Sequence, residues 1–323
     1  MAKGKMKAAW LRGLRRFEIV EVDIPEIGPD QVLVKIDKVG ICGSDRGMWD
    51  GHHFFNDLYR WEDFSPGEHG HEASGTVVQV GKDVRGVKEG DLVCRLNLVG
   101  SRDLDMRCFA EYAVADAPIV VNGADPEVVC FADPVVVALN HTHHANVTPG
   151  DTVLVMGQGF IGLLITQLLR QRHVNVVATE IDEGKLRLAE QFGAIAIDAR
   201  SPDWVQNVRD TAKEIHAVIE CTGAEEPIEA ACHLLSRGGT FVIMGATRRT
   251  ITLNYTQLRI RGATVVFPMN GVNHKDNWTT AAEILHRNEL EVKSLISKRD
   301  RLENLQTVLE NYDSRWLRVL LEP

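Results

Sequence analysis

The sequence predicts an α/β protein in two parts, a β-rich first portion followed by a doubly wound parallel sheet. Three observations carry this. The first 120 residues are short β-rich runs punctuated by glycine, strand and helix patterns alternate from Asp151 onward, and a glycine-rich turn joins strand to helix where the texture changes. A chain of 323 residues is long enough for about two domains. With 44% apolar and 25% charged residues it belongs with ordinary globular proteins, which excludes disordered and collagen-like classes. A net charge of −9 repels a phosphate backbone, so nucleic acid is excluded as the main partner and a small molecule is favoured.

Taken in order, the expected strands of the first portion are KMKAAWL, FEIVEVDI, QVLVKIDKVGI, EASGTVVQVG, GDLVCRL and FAEYAVA, which read as a small barrel or sandwich. Next come the strand DTVLVM, a helix from Phe160, the strand VNVVAT and an amphipathic helix in DEGKLRLAEQFG, which together make a βαβ unit. A strand at HAVIE, a helix over 227–235 and strands at TFVIM and ATVVF extend the sheet, giving a doubly wound architecture. Helical periodicity returns over 279–285 and 302–309, and LRVLLEP closes as a strand. The texture divides the chain into residues 1–135, 136–270 and a returning segment 271–323.

The apolar stretch from Val153 to Leu169 is broken by three glycines, two glutamines and a threonine, so no membrane span is expected. MAKGKMK leads into AAWLRGLRRFE rather than an apolar core with a cleavage site, so no secretory signal is read and the cytoplasm is the expected location. Six cysteines without a C-x-x-C pair (Cys42, Cys94, Cys108, Cys130, Cys221 and Cys232) argue for reduced, mostly buried thiols.

Gly157-Gln158-Gly159-Phe160-Ile161-Gly162 follows a strand and opens a helix, the context that a dinucleotide fingerprint requires. Gly157 permits the tight turn, Gly159 lets the backbone approach a pyrophosphate, and Gly162 lets helix and strand pack closely. Phe160 and Ile161 enter the helix whose N–H groups face the phosphates. Glu180 ends the next strand 18 residues past Gly162, where a carboxylate accepts bonds from the adenosine ribose hydroxyls. It would repel a 2′-phosphate, and no Arg follows it directly, so NAD is expected over NADP. The alternatives at this point are a plain strand-to-helix turn with a solvated acid, or a methyltransferase using a similar turn.

Cys42 stands in Gly40-Ile41-Cys42-Gly43-Ser44-Asp45, His71 follows 29 residues later in Gly70-His71-Glu72, and Asp133 precedes Pro134 just before the parallel sheet. Thiolate, imidazole and carboxylate are the ligand types of a catalytic zinc with one open position. Singly, each has an ordinary alternative: a core thiol for Cys42, a hydrogen-bonded loop residue for His71, and a helix N-cap for Asp133. Spacing alone leaves the two readings balanced.

The motifs VGICGSD, GHEASGTVVQVG, VKEGDLV, FAEYAV, ADPVVVALN, VTPGDTVLVMGQGFIG, IECTG and LLSRGGTFVIMG run in order over nearly the whole chain. In these the sequence resembles the zinc-dependent medium-chain dehydrogenase/reductase superfamily of alcohol, sorbitol and threonine dehydrogenases. The resemblance implies a GroES-like catalytic domain, built from the N-terminal part and the returning segment, and a Rossmann domain. It implies that Cys42 and His71 ligate zinc, with Asp133 where polyol-type members carry an acid before Pro. Glu72 is then the acid beside the metal and itself a candidate ligand, and Asp45 fixes the His71 tautomer. Homodimers or homotetramers are implied in the same way.

The sequence departs from that pattern in three places. Between Asp91 and Phe109 it lacks the four-cysteine lobe of a structural zinc, so Cys94 and Cys108 are read as structural thiols and one ion per chain is expected. The histidine that some members use as a proton relay falls at Gly47, leaving Ser44 with water or His52. The stretch from Trp49 to Phe64 is long and holds six of the 20 aromatics, among them Phe54, Phe55, Tyr59 and Trp61, as a pocket lining or a flap. His141, His143 and His144 are read as solvated residues at a helix end. The expected reaction is oxidation of a secondary alcohol of polyol, cyclitol or amino-alcohol type, with Cys42, Ser44, His71 and Asp133 at the reacting centre. The rivals are a zinc-free quinone or enoyl reductase and a nucleotide-binding protein without catalysis.

Overall fold

The apolar runs of the first portion become strands β1 (Lys5–Gly13), β2 (Arg16–Asp23), β3 (Val32–Ile41), β4 (Glu72–Val80), β5 (Leu92–Cys94), β6 (Tyr112–Ala115) and β7 (Ile119–Val120). The structure is a computed structural model and describes residues 4–51, 64–96, 107–116, 118–245, 250–268 and 277–323. Between β3 and β4 lies helix α1 (Gly43–Asp50), and after β7 come α2 (Pro126–Val129) and α3 (Ala132–His144). The chain falls into two units, residues 1–134 with 278–323, and residues 135–277.

The second unit alternates strand and helix: β8 (Thr152–Met156), α4 (Phe160–Gln171), β9 (Asn175–Glu180), α5 (Glu183–Gln191), β10 (Ile195–Asp198), α6 (Trp204–Thr211), β11 (Ala217–Glu220), α7 (Glu225–Leu234), β12 (Thr240–Ile243), α8 (Tyr255–Arg261) and β13 (Thr264–Val266). Its strands form a parallel sheet in the order β10-β9-β8-β11-β12-β13. The order therefore reverses between β8 and β11, and such a switch point opens a crevice at the carboxyl ends of the strands. Leu154, Met156, Val177, Val218 and Phe241 from the strands pack with Trp204, Val208 and Ile228 from the helices. Near-continuous apolar strands such as TVLVM fit a sheet of this kind.

The chain returns through α9 (Asn277–His286), β14 (Ile296–Arg301), α10 (Leu305–Glu310) and β15 (Arg318–Glu322). The seven-stranded sheet of the first unit runs β14-β15-β3-β4-β5-β7, with β6 also on β3, while β1 and β2 form a separate antiparallel pair. The last strand thus pairs with the third, Val319 opposite Ile41. Leu302, Leu305, Val308, Val319 and Leu321 join Val34, Ile36 and Phe109 in one core. Lys293 to Asp125 at 2.6 Å and Arg299 to Glu127 at 2.8 Å also tie the return to α2. These pairs are partly exposed and each contributes only about 0 to 1 kcal/mol, so strand pairing and core burial hold the return in place.

Several elements exceed the sequence expectations. β14 (ISKRDR) and β10 are short strands whose charged or exposed faces mask any apolar alternation, and α1 (GSDRGMWD) contains two glycines that argue locally against helix. The helix expected over 227–235 runs over Glu225–Leu234. Trp49 lies in the core of the first unit with its Nε1 donating to Gln306 Oε1 at 3.3 Å. His52, Phe54, Phe55, Tyr59 and Trp61 lie outside the described residues. His141 corrects the expectation of a solvated trio: it is buried, its Nδ1 2.7 Å from the Val137 carbonyl one turn back, while His143 is exposed. Helical geometry turns residue 141 to the apolar side of α3.

Candidate metal and dinucleotide sites

Cys42 follows β3 directly and is the N-cap of α1, its extended backbone (φ −80°, ψ 160°) turning the chain into the helix. Asp45, 1% exposed, fixes this turn: Oδ2 accepts the Cys42 backbone N–H at 2.8 Å, and Oδ1 accepts the Gly70 N–H at 3.3 Å. One buried carboxylate therefore joins two segments distant in sequence. Gly70 has φ +79°, and a Cβ there would lie 2.4 Å from the Phe109 ring, so only glycine delivers the next residue, His71, in this direction. His71 Nδ1 stands 3.7 Å from Asp45 Oδ1, while Nε2 stands 3.5 Å from Ser44 Oγ and 4.0 Å from Asp133 Oδ1. Asp133 lies within the first turn of α3 rather than at its N-cap.

Glu72 opens β4 and is fully buried. Arg318, from β15 and 5% exposed, reaches it with a guanidinium nitrogen 3.1 Å from Oε1 and donates from another to the Ile41 carbonyl at 3.2 Å. Sequence reading missed Arg318; the available signal was a lone arginine in the apolar strand LRVLLEP. Burial pushes the Glu72 carboxyl above its ordinary value against the pull of Arg318. Burial does the same to Asp133, against His71 and Arg318. For His71, burial alone would lower the imidazole, but Asp45, Cys42 and Asp133 outweigh it and raise it well above 6.5. Acidic side chains that favour a proton on a partly buried imidazole form an environment that favours a cation.

The Cys42 sulfur, a His71 ring nitrogen and a Glu72 oxygen all lie within 4.8 Å of one another, the one such group among the described residues. Ligands on a tetrahedral zinc with bonds of about 2.2 Å sit about 3.6 Å apart, so roughly 1 Å of contraction closes the set. Oε2 of Glu72 is buried without a hydrogen-bond donor and Oε1 is faced by the Arg318 guanidinium, which leaves Oε2 as the acceptor for a cation. The donor types and spacing fit a zinc ion. Cys94 and Cys108 are buried thiols, both pushed up to about 12 by burial, which disfavours the thiolate that a metal needs.

In the second unit Gly157 follows β8 with φ +88°, a conformation that other residues rarely adopt. A Cβ on Gly162 would lie 2.0 Å from the Gly157 carbonyl, so the helix approaches the turn as closely as the fingerprint expects. Gly159 caps α4 without a side-chain hydrogen bond, so the helix N-terminus carries no capping side chain; Phe160 is buried and Ile161 half-buried in that turn. Glu180 ends β9, its Oε2 accepting the Gln158 N–H at 2.8 Å and its Oε1 the N–H groups of Ile181 at 2.7 Å and Asp182 at 3.1 Å. The sequence did not reveal that Gln158 points inward, its amide bonded to Val155 and Thr166, which locks the turn from below.

Residues 28–125 match the family model described as the alcohol dehydrogenase GroES-like domain, and residues 161–287 match that of the zinc-binding dehydrogenases. A sorbitol dehydrogenase from Arabidopsis thaliana is 30% identical over 328 residues, covering 90% of this chain and 87% of that protein. An L-idonate 5-dehydrogenase from Vitis vinifera is 27% identical, with coverages of 90% and 87%. The NADP-bound structure of a Sinorhizobium meliloti protein described as a zinc-binding dehydrogenase superposes with a TM-score of 0.87 at 26% identity, covering 99% of this chain and all of that one. Sequence, fold and relatives therefore agree that the chain belongs to the zinc-dependent medium-chain dehydrogenase/reductase superfamily, with a GroES-like and a Rossmann part.

Proposed function

We propose that the chain is a polyol-type alcohol dehydrogenase, moving a hydride between NAD and a secondary alcohol or its ketone with one zinc ion. The observation that carries this reading is the convergence of Cys42, His71 and Glu72 within 4.8 Å. These three residues would hold the ion, with Asp133 beside His71 Nε2 as an acceptor toward the remaining position. Bound there, zinc would act as a Lewis acid that lowers the pKa of an alcohol oxygen.

The chain's own groups do the rest. Asp45 at Nδ1 orients His71 so that Nε2 faces Ser44 and Asp133. The Ser44 hydroxyl, 3.5 Å from that nitrogen, accepts the alcohol proton and passes it on. A nicotinamide held by the Gly157–Gly162 turn and Glu180 would supply the hydride acceptor for the carbinol carbon. Glu180 positions the adenosine ribose and supports NAD, because its two oxygens already act as acceptors and a 2′-phosphate would bring more negative charge against them. Support for the polyol class comes from the sorbitol and L-idonate dehydrogenases among the relatives, and support for a single ion comes from the buried thiols of Cys94 and Cys108.

The test is Cys42→Ala, with NADH formation followed over a panel of polyols and cyclitols and metal content measured on the same preparation. Loss of both zinc and turnover with NADH binding retained is the expected outcome. Turnover surviving in the metal-free variant would refute the assignment.

A further inference from the structure

Glu220 ends β11, beside the point where the strand order reverses, and is fully buried. An acid closing an apolar strand is costly unless its oxygens are used. Oε1 accepts the backbone N–H of Thr222 at 2.5 Å and of Gly223 at 3.0 Å, and also the Thr222 hydroxyl. One oxygen thus gathers the whole turn that follows the strand. The backbone carbonyl of the same residue accepts the N–H groups of Met244 at 2.9 Å and Gly245 at 3.1 Å, at the end of neighbouring β12. Oε2 lies against Gly245, where a Cβ would come within 2.5 Å of it.

The segments so gathered touch the dinucleotide turn. A Cβ on Gly157 would lie 2.8 Å from Thr222 Cγ2, and one on Gly245 would lie 2.0 Å from the Gly223 nitrogen. Three chain segments, from the ends of β8, β11 and β12, therefore meet without slack at the carboxyl edge of the sheet. We propose that Glu220 is a positioning residue for the dinucleotide: it holds the Cys221–Gly223 turn against Gly157 and so sets the floor on which the cofactor rests. The inference rests on the dinucleotide reading of the Gly157–Gly162 turn. Burial pushes the Glu220 carboxyl up, opposed by the bonds from Thr222 and Gly223, so a neutral glutamine that keeps the accepting oxygen is a mild replacement.

The experiment measures NADH affinity by fluorescence titration, and the Michaelis constants for NAD and alcohol, on zinc-loaded protein. Glu220→Ala should weaken NADH binding about tenfold, equivalent to about 1.4 kcal/mol. KM for NAD should rise while KM for the alcohol stays within twofold. Glu220→Gln should stay within about threefold of wild type. Val208→Ala, a cavity in the core of the same unit, supplies the comparison: it should lower Tm and leave NADH affinity within twofold. If Glu220→Ala does not fold, Thr222→Val removes one donor to Oε1, keeps the side chain's shape, and should weaken NADH about threefold. Unchanged NADH affinity in Glu220→Ala, or an equal loss in Val208→Ala at equal Tm, would overturn the proposal. A wild-type protein that binds no NADH would instead overturn the dinucleotide reading beneath it.

Discussion

Arg318→Met removes the cation from a buried pair and leaves Glu72 to find another state. The pair separation of 3.1 Å corresponds to a Coulomb attraction of about 5 kcal/mol at an effective dielectric of about 20. The measured loss will be smaller, because the bare carboxylate escapes by taking up a proton. That route costs about 1.4 kcal/mol for each pH unit above the ordinary carboxyl value of 4.5, or about 3.4 kcal/mol at pH 7 and about 0.7 kcal/mol at pH 5. The sign follows from linkage. Glu72 is already raised in the folded state, and losing Arg318 raises it further, so the folded variant binds more protons than the unfolded chain above pH 4.5. Stability therefore falls as pH rises through that window, and the pH-dependent part of the deficit closes as pH drops toward 4.5. A pH-independent remainder of about 1 kcal/mol is expected from the lost bond to the Ile41 carbonyl. Urea unfolding with chelator present, so that no metal clamps Glu72, gives the assay, with Trp10, Trp49 and Trp316 reporting on the first unit. A deficit equal at pH 5 and pH 7, or one below about 1 kcal/mol at pH 7, would show that the pair is not the buried charge couple described.

Gly70→Ala places a methyl 2.4 Å from the Phe109 ring at a φ of +79°. Backbone strain of about 1 to 2 kcal/mol and overpacking of about 1 to 3 kcal/mol should add, and the displaced His71 should weaken zinc binding at least tenfold. A normal zinc affinity by competition with a chelator would show that the turn does not aim the imidazole. Glu180→Gln should narrow the preference for NADH over NADPH by on the order of tenfold, about 1.4 kcal/mol, with unfolding temperature little changed. An unaltered ratio would remove Glu180 as the discriminating charge.

Local chemistry was legible from the sequence, and long-range chemistry was not. The fingerprint turn could be read because its geometry depends on neighbours: strand, glycines and helix follow within a few residues, and the acid ends the very next strand. Cys42, His71 and Asp133 were legible as ligand types, and the resemblance gave them a role and added Glu72, yet spacing alone could not bring Cys42 and His71 together because Asp45 does that through hydrogen bonds across the fold. Arg318 was invisible for the same reason, since its partner is in a strand far earlier in the chain. Glu220 stood in the motif IECTG, but nothing local says that its oxygen gathers the turn after it. β14 was missed because its sequence alternates charge with little apolar content, and the partner strand β15 supplies the order its own residues lack.

The pairing of β15 with β3 also imposes a timetable during synthesis. Residues 135–277 are contiguous and can complete their sheet as soon as they leave the ribosome, whereas the sheet carrying Cys42 and Glu72 waits for residue 318 and beyond. From Ile41 to Arg318, at about 5 to 20 residues per second, that wait is on the order of 14 to 55 seconds. For that interval the open edge of β3 is a nascent strand in search of a partner, and the arginine that neutralises the buried glutamate arrives in the same act that closes the edge.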